Sequence, residues 1–142
     1  MRRRQHRGEV IVTLEFIMLG ATILLALVNI LWAGNVRTSQ YGVEWNMGAR
    51  DADMPALNPL AGRLLRAQAN LYETLPLFIG ALLGAFAAGH FGWKTQVGAS
   101  LYCIARVIYL PLYAAGIPKI RTLVWLVSMV GLLLVLWAMV FG

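Results

Sequence analysis

Four polar side chains, Arg63, Arg66, Asn70 and Glu73, open a segment that is otherwise almost wholly apolar, GRLLRAQANLYETLPLFIGALLGAFAAG. Their spacing of i, i+3, i+7 and i+10 puts all four on one side of an α-helix, since each residue turns the helix by about 100°. Two guanidiniums, an amide and a carboxylate on a single face can pair with each other or with a ligand, so the stripe suggests a site without naming a substrate. The same residues have a plainer use. Arginines near a helix end snorkel to lipid headgroups, and Asn or Glu in a bundle ties helices together. Away from the headgroups, the stripe is costly unless it faces protein or a wet cavity rather than lipid.

A second stripe lies in LYCIARVIYLPLY, where Tyr102, Arg106, Tyr109 and Tyr113 recur at i, i+4, i+7 and i+11. An arginine in so apolar a setting needs a partner, and Glu73 or Glu15 is the nearest chemical candidate. A third stripe repeats every seven residues, Glu15, Thr22 and Asn29. It would face neighbouring helices, and interhelical hydrogen bonding is its first reading. Glu15 has another, since a carboxylate in a first span is how a small proton-coupled cation exporter would bind its cargo. Arg121 and Thr122 begin the last apolar run, and Arg37 lies just past the first. Arg37 is either a membrane-end charge or a group reaching for an anion.

The elements that must position these groups follow from composition. The chain has 142 residues, 60% of them hydrophobic and 13% charged, with a mean hydropathy of +0.70. That is too apolar for a soluble domain and fits a single integral membrane domain. The net charge of +6 does not indicate nucleic acid, because Arg2, Arg3, Arg4 and Arg7 crowd the start, where they read as a membrane-surface anchor. The lone Cys103 excludes an intrachain disulfide, and the ligand count excludes a zinc cluster.

Four apolar segments predict helices over about 10–34, 61–89, 95–115 and 120–141. The first is too long for a signal-peptide core of about 7–15 residues and lacks a small-x-small cleavage site, so it reads as a retained span. Between Asn35 and Gly62 the chain turns polar, broken by Gly42, Gly48, Pro55 and Pro59, which predicts a surface loop with Tyr41 and Trp45 at the interface. Pro76 is expected to interrupt and kink the second helix. AGIPKIRT is a turn, and the fourth helix beyond Arg121 has no ionisable group and reads as scaffold. The expected fold is an all-α, four-helix membrane bundle. Four spans place Arg66, Tyr113 and Arg121 toward one membrane side, that of the first and third loops. Basic residues flank both sides in comparable number, so charge imposes no orientation. The expected location is multi-pass, in the bacterial inner membrane.

With these motifs in order, the chain resembles the MAPEG family, membrane-associated proteins in eicosanoid and glutathione metabolism. RAQANLYETLPLF is similar to that family's second-helix signature, an Arg, an Asn four residues on and a Glu three further. ARVIYLPLY resembles its third-helix Arg-x-x-Tyr-x-x-x-Tyr, and Arg121 with Thr122 stands where the family opens its fourth helix on a basic residue. Arg37 matches a basic position just beyond the first helix. The resemblance implies a homotrimer that binds glutathione between neighbouring subunits. It assigns Arg37, Arg66, Asn70, Glu73, Tyr109 and Tyr113 to the tripeptide, Arg121 to its thiolate, and Thr122 to a further donor on the sulfur. The implied activity is transfer of glutathione to lipophilic electrophiles, extending to peroxidase action on hydroperoxides. Thr74 and Trp125 depart from the family, standing where its enzymes often have tyrosine, so the second substrate is not inherited from them. A non-catalytic scaffold that binds glutathione or a lipid is the rival reading, ahead of the cation exporter.

Overall fold

The computed structural model describes residues 12–142. The arginine-rich start and the first residues of the expected leading helix lie outside the described residues. Five helices follow, α1 (Leu14–Tyr41), α2 (Val43–Met47), α3 (Pro59–Ala87), α4 (Trp93–Ala114) and α5 (Pro118–Phe141). All but α2 are long and apolar enough to cross a membrane, and no strand occurs among the described residues. The all-helical, four-span expectation therefore holds.

The expected first loop is corrected in three places. α1 continues to Tyr41 instead of ending near Gly34, because a helix need not stop where lipid stops and NVRTSQY contains neither Pro nor Gly. Gly42, with φ +93°, is the first residue that leaves the helix without strain. At 28 residues α1 is about 42 Å long, against about 30 Å of hydrocarbon, so its last turns project beyond the bilayer core. That projecting end holds the following segment. The Gln40 amide donates to Ala56 O at 2.9 Å and accepts from Asn58 N at 2.7 Å, and Tyr41 donates to Pro55 O. α2 is the second departure, a short helix inside the loop. The third is Pro59, read as a breaker, which opens α3 behind the Asn58 cap, where Ala61 N donates to Oδ1 at 2.9 Å. A missing N–H costs nothing in a first helical turn. Pro118 opens α5 in the same way. The expected interruption at Pro76 does not occur: α3 runs through it without a break.

α3 and α4 form the centre of the bundle. α1 packs on both of them and so does α5, while α1 and α5 do not touch. Phe78 and Tyr102 stack at 4.1 Å between α3 and α4, with Leu82, Ala99 and Val135 beside them in the core. α4 and α5 meet backbone to backbone at Gly98 and Gly131, where a Cβ on either would lie within 2.7 Å of the other's carbonyl oxygen. Small residues permit this closeness, and in lipid, close packing is the main attraction between helices. The expectation that α5 is scaffold agrees with its buried face, Ser128, Gly131, Leu132, Val135 and Ala138.

The seven-residue stripe of α1 does face the bundle, with Glu15, Thr22 and Asn29 all buried. With its nitrogen toward Leu64 O (3.2 Å) and its oxygen toward Gln68 N (3.1 Å), the Asn29 amide ties α1 to α3. Glu15 accepts from the Thr95 hydroxyl of α4 at 2.6 Å, and Thr95 also accepts from Gly92 N at 2.9 Å. Thr95→Val keeps the shape but leaves a buried carboxylate without this donor. We expect it to lower stability by about 1–3 kcal/mol, read as a fall in thermal midpoint in detergent, whereas Thr95→Ser should stay near the parent.

Candidate functional site

Arg106 is the centre of the polar region. It lies on α4 at 1% exposure, and its guanidinium donates across to α3 three times. Nη1 reaches Asn70 Oδ1 at 2.7 Å, and Nη2 reaches Asn70 O at 3.1 Å and Thr74 Oγ1 at 2.7 Å. Thr74 is in turn 2.8 Å from the Tyr102 hydroxyl. The expected carboxylate partner is thus corrected: neutral oxygens of Asn70 and Thr74 hold Arg106, while Glu73 is exposed and Glu15 is engaged by Thr95. Depth explains the outcome. Asn70 and Thr74 are i and i+4 on the face of α3 that meets α4, whereas Glu73 is rotated about 100° from Thr74 toward the outside.

A line of two rings between two cations leads outward from this centre. The Arg106 guanidinium lies 5.1 Å from the Tyr109 ring centroid, Tyr109 meets Tyr113 edge to face at 5.5 Å, and Arg121 of α5 sits 4.3 Å from the Tyr113 centroid. A cation held over a ring uses no N–H on an acceptor, so this contact positions Arg121 while leaving its donors for an anion. Thr122, the neighbouring residue, is exposed and donates to Pro118 O at 3.1 Å within its own helix.

The stripe expected on α3 divides. Arg63 donates to Ala114 O at 2.8 Å and so caps the last turn of α4, a favourable place for a cation. Arg66 and Glu73 are exposed on the outer side of α3, and the Arg66 guanidinium lies over Gly62, where a Cβ would come within 3.2 Å of Nη1. Asn70 lies between them, half-buried. Arg37, in the projecting end of α1, is 5.6 Å from the Trp45 ring centroid, and Arg50 is 5.1 Å from the same ring. Within the chain, contacts through Arg106 link Asn70, Tyr109, Tyr113 and Arg121, whereas Arg37 lies on α1, which makes no contact with the α5 helix of Arg121.

Sequence reasoning missed the Asn70–Arg106–Thr74 link and the placing of Arg50 beside Trp45. The first was signalled by complementary residues on two facing stripes, Asn70 with Thr74 and Arg106 with Tyr109, once amide and hydroxyl oxygens are weighed beside carboxylates. An apolar groove of about 510 Å³ between α3 and α5, lined by Leu77, Gly80, Leu133 and Leu136 among others, lies beyond Pro76 and contains none of these groups.

No curated protein matches the chain. A model of the MAPEG family matches residues 18–141, which takes in the bundle from the second turn of α1 onward and every site residue described above except Glu15. The chain belongs to the MAPEG family, membrane proteins related to glutathione and eicosanoid metabolism.

Proposed function

We propose that the protein is a glutathione-dependent membrane transferase, with peroxidase action as an extension, and that it works as a homotrimer with its sites between subunits. The carrying observation is the exposure of Arg66 and Glu73 on α3, a helix that crosses the membrane. Glu73 lies close to the middle of that helix, where a carboxylate facing lipid would be expensive. A neighbouring subunit that covers this stripe removes the cost and brings a second set of elements to it. The arrangement also accounts for Arg37, which stands apart from Arg121 within one protomer and can complete the site of the next.

Glutathione suits the groups on offer. Its two carboxylates match the guanidiniums of Arg66 and Arg37, and its amine matches Glu73. Asn70, Tyr109 and Tyr113 supply neutral polar contacts. Arg121, held on Tyr113, lies where a cation can lower the thiol pKa and favour the thiolate. The thiolate then attacks an electrophilic carbon, forming a carbon–sulfur bond as the leaving group departs with its electron pair. With a hydroperoxide, sulfur attacks the O–O bond and a second glutathione completes the disulfide, releasing alcohol and water. Lipophilic partners reach such a site sideways from the bilayer.

Titration of the detergent-solubilised protein with glutathione, read by thiolate absorbance, tests binding and activation together. Saturable growth of the thiolate band is the expected result. Arg66→Ala and Glu73→Gln should each weaken binding about tenfold to a hundredfold, the worth of one charge-assisted hydrogen bond. Binding without turnover of any electrophile would point to the scaffold reading. A flat titration would remove glutathione altogether.

A further inference from the structure

We propose that Arg106 is a positioning residue that turns the Asn70 amide so that only its N–H groups face the ligand, making this point of the site select a carboxylate or another pure acceptor. The inference rests on the reading that Asn70 lines the ligand site. Arg106 itself is beyond a ligand's reach. It is 1% exposed, and the cavity beside it, shared with Asn29 and Tyr109, has a volume of about 10 Å³, room for one water-sized molecule.

A guanidinium has donors and no acceptor, so the Asn70 atom 2.7 Å from Nη1 must be the amide oxygen. The reversed amide would press N–H against N–H. The amide nitrogen is then the branch not used by Arg106, on a half-buried residue one turn from the exposed Arg66 and Glu73, and in this proposal it serves the ligand. An unrestrained asparagine can rotate its amide and receive donors or acceptors equally. Here rotation is blocked because the guanidinium is fixed in turn by Asn70 O, by Thr74 Oγ1 and by the rings of Tyr102 and Tyr109, with centroids 5.7 and 5.1 Å away. The outer face of α3 then offers donors at Arg66 and Asn70 and an acceptor at Glu73. An α-amino acid head, or any ligand with a carboxylate and an amine a few ångströms apart, is read in one direction along the helix.

Asn70→Asp tests this, because it keeps the shape, gives Arg106 a charged partner inward, and replaces the outward donor with an acceptor. Glutathione affinity should fall about tenfold to a hundredfold. In the Arg106→Gln background the same substitution should lower the thermal midpoint by more than it does in the parent, since the carboxylate loses its cation. Should Arg106→Gln not yield folded protein, Arg106→Lys serves. Its compact ammonium lacks the planar fork that spans Asn70 and Thr74, and a raised KM for glutathione with kcat largely kept is expected. Additive midpoints for Asn70→Asp and Arg106→Gln, an unchanged KM for glutathione in Arg106→Lys, or unchanged glutathione affinity in Asn70→Asp, would overturn the proposal. A parent protein that binds no glutathione, with the midpoints still non-additive, would instead defeat the glutathione reading and support the inward-facing oxygen.

Discussion

Arg121→Leu is expected to lower glutathione conjugation by about a hundredfold to a thousandfold while changing glutathione affinity much less. Loss of one well-placed donor or cation at a developing or resident anion has effects of this size, about 2.7–4 kcal/mol. The asymmetry follows from the geometry. Arg121 sits on Tyr113 at the outer end of the ladder that begins at Arg106, whereas Arg66, Asn70 and Glu73 occupy another helix and would hold the tripeptide without it.

The pH profile carries the sign of the effect. A thiol beside a cation has a lowered pKa and is ionised across neutral pH. Without Arg121 it returns toward its ordinary value of about 8.5, so only a few per cent is thiolate at neutrality. The rate of the variant should therefore rise steeply with pH through that value, where the parent is already flat, and the thiolate band should shift the same way. Arg121→Lys should fall between the two, because it keeps the charge and gives up the planar fork. Unchanged turnover in a folded Arg121→Leu protein would remove the catalytic role.

The largest structural effect is expected at Gly131. A Cβ there would lie 2.6 Å from Gly98 O and 2.7 Å from Tyr102 N. Both are backbone atoms of α4, so relief requires the two helices to separate. Gly131→Ala should cost about 1–3 kcal/mol, as overpacking commonly does. Gly131→Leu should prevent accumulation of folded protein in the membrane. Separation would also disturb the Phe78–Tyr102 stack and draw Arg121 on α5 away from Tyr113 on α4, so residual Gly131→Ala protein should lose activity along with stability. Gly80→Ala is the matched control. A Cβ at Gly80 meets nothing within 4 Å, and in a helix interior alanine is favoured over glycine by up to about 1 kcal/mol. Fluorescence-monitored size exclusion and thermal midpoints would distinguish these variants, and equal behaviour of Gly131→Leu and Gly80→Ala would contradict the packing account.

Much of this was legible in the residues. Lipid penalises exposed polar groups so strongly that the seven-residue repeat of Glu15, Thr22 and Asn29 could only face protein, and the structure buries all three. The same penalty made four spans readable from hydropathy, and the ordered Arg, Asn, Glu and Tyr motifs identified the family. Hydropathy reports contact with lipid, however, and not hydrogen bonding along the backbone, so it stopped α1 near Gly34 when the helix continues to Tyr41.

The partners of the buried charges belonged to the tertiary structure. Periodicity states which face of a helix a residue occupies, but not how far one helix slides or rotates against another. A slide of one turn, about 5.4 Å, is enough to exchange one partner for the next. For that reason Arg106 meets Asn70 and Thr74 and not Glu73, and Glu15 meets Thr95, eighty positions away in the chain. The close approach at Gly98 and Gly131 holds α4 and α5 together, and only the three-dimensional packing could set Arg121 over Tyr113.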